Sequence, residues 1–152
     1  MGGRRDPAAS HPVALVGVVA LGGGLGSLAR WGIGLLPEAP HGGFPWGTFL
    51  VNVTGAFAIG LLVSVLGARL PTSQLVRPFL GPGFLGGYTT FSAYMADTGD
   101  LMDAGRGALA GVYLFGTLAC GLLGVVLGMA LATRLLEQPP RAVPSPDEQA
   151  PA

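Results

Sequence analysis

Charged residues leave four long gaps along the chain. None occurs from Pro12 to Ala29, from Gly42 to Ala68, from Pro78 to Ala96 or from Gly107 to Thr133, stretches of 18, 27, 19 and 27 residues. A helix needs about 20 predominantly apolar residues to cross a bilayer. The pattern predicts an all-α membrane protein with four spans, at Val13–Ile33, Gly47–Leu66, Phe79–Met95 and Ala108–Ala132. The third is the least regular, because it holds Gly81, Pro82, Gly83, Gly86 and Gly87. The polar flanks predict disordered tails over residues 1–12 and 133–152, around a membrane domain at 13–132. Arg4 and Arg5 before the first run are reminiscent of a signal peptide. No small-residue cleavage site followed by a polar domain comes after it, so the run is read as a retained span.

Composition sharpens this reading. Half of the 152 residues are hydrophobic and 11% are charged, whereas charged residues make up about a quarter of a soluble domain. Eight basic and eight acidic residues balance, which excludes a nucleic-acid surface. All the basic residues are arginine. With four spans, Arg4, Arg5, Arg69, Arg77, Arg134 and Arg141 fall on one side, and Arg30 and Arg106 on the other. The excess predicts both termini in the cytoplasm. One cysteine, Cys120, leaves neither an internal disulfide nor a CxxC metal site.

Small residues recur at a spacing of four: Gly22 and Gly26, Ala56 and Gly60, Cys120, Gly124 and Gly128, and Thr117 and Gly121. Such stripes let helix backbones approach closely. Oligomer seams are the natural inference for four short spans, and packing within one chain is the alternative. The Gly-rich third span has two readings as well. Its freed carbonyls could form a backbone cation site near Gly86 to Thr90, or a kink could be satisfied by Thr89, Thr90 and Ser92 hydroxyls. Asn52 is the most informative polar residue. Its amide could donate to an anion, or make an interhelical hydrogen bond worth about 0.6 kcal/mol.

No Asp, Glu or Lys lies inside the predicted spans, and Asp97 falls just past the third. Proton-driven transport and acid–base catalysis are therefore not expected, and the chain is not read as an enzyme. His11 and His41 fall in loops. Residues 24–29 match GxGxxA, but inside a membrane helix this is no dinucleotide fingerprint.

Three blocks together resemble the CrcB/Fluc family of fluoride channels. They are Gly22 to Trp31 (GGGLGSLARW), Gly47 to Phe57 (GTFLVNVTGAF) and Gly83 to Tyr94 (GFLGGYTTFSAY). Their order and spacing agree with the family across about Val13 to Ala132. The resemblance implies an antiparallel, dual-topology-type dimer of four-helix subunits whose third helix is broken. It implies a structural Na⁺ at the dimer centre, held by the main-chain carbonyls of Gly86 and Thr89. It implies a fluoride pore from Asn52, Thr90, Phe91, Ser92, Tyr94, Tyr113 and Thr117, with structural roles for Arg30 and Gly87. Bulky replacement of Gly86 or Gly87 is then expected to abolish flux without preventing insertion.

This chain departs from the family pattern at Tyr88, Ala93, Tyr94 and Gly121, which puts one of two pores in question. The arginine bias raises pairing with a related subunit of opposite orientation beside a homodimer. The expected partners are fluoride and membrane lipid, in the cell membrane, with passive fluoride export as the function. The alternatives are a non-conducting partner subunit of a heterodimeric channel, and a small four-helix drug exporter. The latter would want a first-span carboxylate, which is missing.

Overall fold

The computed structural model describes residues 12–35, 42–69 and 75–136. Among them all regular structure is helical. Helix α1 spans Pro12–Gly34, α2 Trp46–Arg69 and α6 Gly107–Leu136. These three are long and apolar enough to cross a membrane. Their ends lie close to the predicted limits. The exception is α6, which runs through residues 133–136 where a tail was expected. The rest of both tails, with Arg4, Arg5, His11 and Arg141, lies outside the described residues, as does His41.

The third apolar run behaves differently. It forms no single membrane-length helix. A turn, α3 (Val76–Pro78), leads into a π-helical segment at Phe79–Leu85, then a second turn, α4 (Gly86–Tyr88). The cause is local. Pro82 has no N–H and would crowd a carbonyl in a regular α-helix, and a widened turn accommodates it. Thr89 (φ −77°, ψ 159°) and Thr90 (φ −147°, ψ 125°) are extended and interrupt the helix. Helix α5 (Phe91–Asp103) then starts afresh, with the Thr90 hydroxyl accepting from the Ala93 N–H as its cap. Gly105, at φ 72°, ends it: the N–H groups of Gly105 and Arg106 return to the carbonyls of Met102 and Leu101.

Helix α2 packs along α6, α1 packs against the π-helical segment and α4, and α5 leans on α6. Glycines make these seams. A Cβ on Gly26 would run into the Phe84 carbonyl, one on Gly60 into the Val125 carbonyl, and one on Gly128 into the Phe57 carbonyl. Gly22 and Gly124 likewise face backbone of the same chain. The stripes at these glycines are therefore seams within the subunit, and the oligomer-seam reading is corrected there. Asp97, just past the third predicted span, is half-buried within α5.

A small core gathers at one end of α6. Leu101, Ala110 and Tyr113 are buried there, with Phe44, Phe49 and Tyr94 packed on them. The Tyr113 ring meets Phe44 at 5.4 Å and Tyr94 at 5.3 Å, both edge to face.

Candidate functional site

The break at Thr89–Thr90 is held from outside. The Asn52 Nδ2 donates to the Thr90 carbonyl, and the Thr90 N–H donates to Asn52 Oδ1, both at 2.9 Å. The reciprocal pair fixes the amide orientation and leaves one Asn52 N–H free. Both readings of Asn52 thus meet in one side chain: it makes an interhelical bond and retains a donor.

The carbonyls that lose their regular helical donors at the break include those of Gly86 and Thr89. The regular helical donor to Gly86 is the Thr90 N–H, which goes to Asn52. The donor to Thr89 is the Ala93 N–H, which goes to Thr90 Oγ1 at 3.2 Å. Arg30 Nη1 makes a long contact, 3.5 Å, to the Thr89 carbonyl. Gly86 is exposed, and a Cβ there would meet only the Gly81 carbonyl, at 3.9 Å. Gly87 differs, because a Cβ there would strike the Gly23 carbonyl. Substituting Gly87 would disturb packing directly, so only Gly86 leaves the flux expectation open to a clean test.

A cleft of about 370 Å³ opens beside the break. Asn52, Thr89, Thr90, Phe91, Tyr94 and Thr117 all line it. Phe91 is 74% exposed, and its ring lies 6.1 Å from that of Tyr94. Thr117 is 5% exposed, and its Oγ1 has no hydrogen-bond partner. The Tyr94 hydroxyl does not add polarity to the cleft, since it donates to the Leu114 carbonyl. Three predicted residues sit elsewhere. Tyr113 is fully buried and its hydroxyl donates to Asp97 Oδ2 at 3.1 Å. Ser92 is exposed and pairs with Thr90 Oγ1 at 3.3 Å. Arg30 lines a second, larger cleft of about 960 Å³ together with Thr48, Thr90 and Asp97.

Two contributors escape sequence reading. Asp97 binds the Tyr113 hydroxyl; its signal is its place three residues after Tyr94, on the same helical face. Gly55 gives Thr89 room, since a Cβ there would strike Thr89 Cγ2, and only its place in the second motif block marks it.

Residues 17–129 match the family described as CrcB-like protein, Camphor Resistance (CrcB). The chain belongs to this family. It is similar to the fluoride-specific ion channel FluC 2 of Nocardia farcinica, 46% identical over 119 residues, covering 78% of this chain and 85% of the relative. The fluoride-specific ion channel FluC 2 of Streptomyces avermitilis is 49% identical over 115 residues, covering 76% and 73%. The fluoride-specific ion channel FluC of Paracoccus denitrificans is 44% identical over 117 residues, covering 77% and 93%. Both motif blocks that shape the break fall inside the matched region. With three helices fit to cross a bilayer, this CrcB-like chain is a multi-pass membrane protein.

Proposed function

We propose that this chain is a fluoride channel subunit, not an enzyme, that lets fluoride leave the cell passively across the plasma membrane. The observation that carries the proposal is the buried, unpaired hydroxyl of Thr117, a residue that lines a cleft together with Asn52 and Phe91. An unpartnered buried hydroxyl costs about 1–3 kcal/mol, and a bound anion would relieve it. Fluoride is small and strongly hydrated, so a pore must replace its water. The Thr117 O–H and the free Asn52 N–H supply donors. The first N–H groups of α5, at Phe91 and Ser92, lack helical acceptors and point the same polarity toward the break. The rings of Phe91 and Tyr94 offer positive edges. None of these groups carries a full charge, so the ion can leave as readily as it enters. An inside-negative membrane potential drives it outward by about 2.3 kcal/mol per 100 mV.

In this proposal residues 76–103 cross as a fourth, broken span, and two subunits pair antiparallel. Irregular backbone is tolerated at membrane depth only where protein or a polar site covers it. The freed Gly86 and Thr89 carbonyls are hard oxygen donors and fit a structural Na⁺, which would supply fixed positive charge at the break. Arg30 and Asn52 hold the two sides of that break. Exposed Ser92 would extend the polar route at one side of the cleft, while Tyr113, buried and with its hydroxyl committed to Asp97, backs the Tyr94 ring.

The test is fluoride efflux from liposomes holding this chain alone, read with a fluoride electrode, with chloride as the control. Rapid fluoride loss without chloride loss is the expected result. If folded protein gives none, mixing with a related subunit of opposite arginine bias separates a heterodimer from a wrong assignment. Vesicles prepared without Na⁺ are expected to show slower efflux and a lower melting temperature. Identical behaviour in both buffers would remove the cation from the proposal.

A further inference from the structure

Among the described residues, five hydroxyls bond back to the backbone just before them. Thr54, Ser64, Thr89, Thr98 and Thr133 each donate to the carbonyl four residues earlier, at 2.6 to 3.1 Å. Back-bonding is the ordinary fate of a helical Ser or Thr in apolar surroundings. Thr54 shows the geometry: its Oγ1 reaches Leu50 at 2.6 Å and also Val51, three residues earlier, at 3.4 Å. Thr117 is buried as deeply as any of them, yet its hydroxyl bonds to nothing.

The carbonyls it would seek are those of Tyr113 and Leu114. The Leu114 carbonyl already accepts the Tyr94 hydroxyl, delivered from α5. That phenol therefore occupies the acceptor three residues back, of the kind Thr54 reaches at Val51, and Thr117 Oγ1 bonds to neither carbonyl. Thr117 matters because the other α6 residues along the cleft (Leu118, Gly121, Leu122 and Val125) have no polar side-chain group. It is the one hydroxyl that α6 gives the cleft.

We infer that Tyr94 is a positioning residue: its hydroxyl, by taking the Leu114 carbonyl, keeps the Thr117 O–H free to donate to the permeating anion. The inference rests on the fluoride-channel reading above and adds a residue-level device to it. It turns the tyrosine at this position from a defect in the pore into a part of it. The ring still faces the cleft, while the hydroxyl is used behind it.

The test uses the full chain with Tyr94→Phe, Thr117→Val and the double variant. Tyr94→Phe keeps the ring and removes only the hydroxyl. Fluoride efflux is expected to fall about three- to tenfold, the range set by one ordinary hydrogen bond. In the Thr117→Val background the same change is expected to have no further effect, because there is no hydroxyl left to lose. Independent effects that multiply would overturn the inference, as would unaltered efflux in Tyr94→Phe. A second readout stands apart from conduction. The Thr117 methyl resonance, in threonine-labelled protein in detergent, reports its rotamer. It is expected to shift in Tyr94→Phe as the hydroxyl turns onto Leu114. An unmoved resonance overturns the positioning role even if the parent chain does not conduct. A moved resonance with a silent parent would instead sink the channel reading while leaving the contact intact.

Discussion

Asn52→Leu is expected to reduce fluoride efflux by about a hundredfold or more. The change removes the spare N–H of this cleft-lining residue and strips both partners from Thr90. Each abandoned backbone group in an apolar setting costs about 1–3 kcal/mol. Thr90 also caps α5 and precedes Phe91, so the loss reaches the ring and the first N–H groups of α5 together. Asn52→Asp separates the two roles. Aspartate can still accept from the Thr90 N–H, but it cannot donate to the Thr90 carbonyl, and its charge opposes an anion. It is expected to conduct no better than leucine while holding its fold better. The measurement is efflux per unit of monodisperse protein, with melting temperature alongside. Efflux at the parent rate in Asn52→Leu would remove Asn52 from the pathway and leave it as a strut.

How much of this was legible beforehand depends on the kind of information. The charge gaps located α1, α2 and α6 to within a few residues, because lipid demands apolar length and little else. The irregularity ahead of the break was visible in Gly81 to Gly87, because Pro82 and clustered glycines cannot sustain a regular helix. The third run could be marked as irregular, but not divided at Thr89 and Thr90, since the extended conformation there depends on Asn52, 38 positions away. The partners of the glycine stripes were equally hidden. A spacing of four says that one face is flat, not which backbone lies against it. Tyr94 shows the same limit. A tyrosine within a motif written with phenylalanine reads as an added polar group in the pore, and only the position of α6 reveals the carbonyl that absorbs it. Asp97 was read as lying just past the third span, and its partner, the Tyr113 hydroxyl on α6, was not visible in the sequence.

Gly26→Leu is expected to abolish recovery of folded protein, whereas Gly24→Leu, two residues away on α1, is expected to be recovered normally. Intrinsic propensity predicts no such contrast, since leucine is the better helix former by about 0.8–1 kcal/mol at either site. Space decides it. A Cβ on Gly26 would collide with the Phe84 carbonyl oxygen and lie 2.8 Å from the Tyr88 amide nitrogen. Those are backbone atoms of the segment leading into the break, so they cannot turn aside as a side chain would. Ordinary overpacking costs about 1–3 kcal/mol, and a rigid obstacle puts this case at or beyond the upper end. That is a large share of a total stability of about 5–15 kcal/mol. At Gly24 a Cβ would have nothing within 4 Å. Size-exclusion profiles and melting temperatures in detergent check both variants. The Gly24 variant carries a second lesson. Its face is open within one subunit, so a leucine there is harmless to the subunit fold wherever it points. If the protein is folded but no longer pairs or conducts, that face of α1 receives a second copy. If it pairs and conducts as before, Gly24 looks onto lipid. In either case Gly26 holds α1 against the broken segment, and the contrast between the two positions isolates that contact from helix propensity.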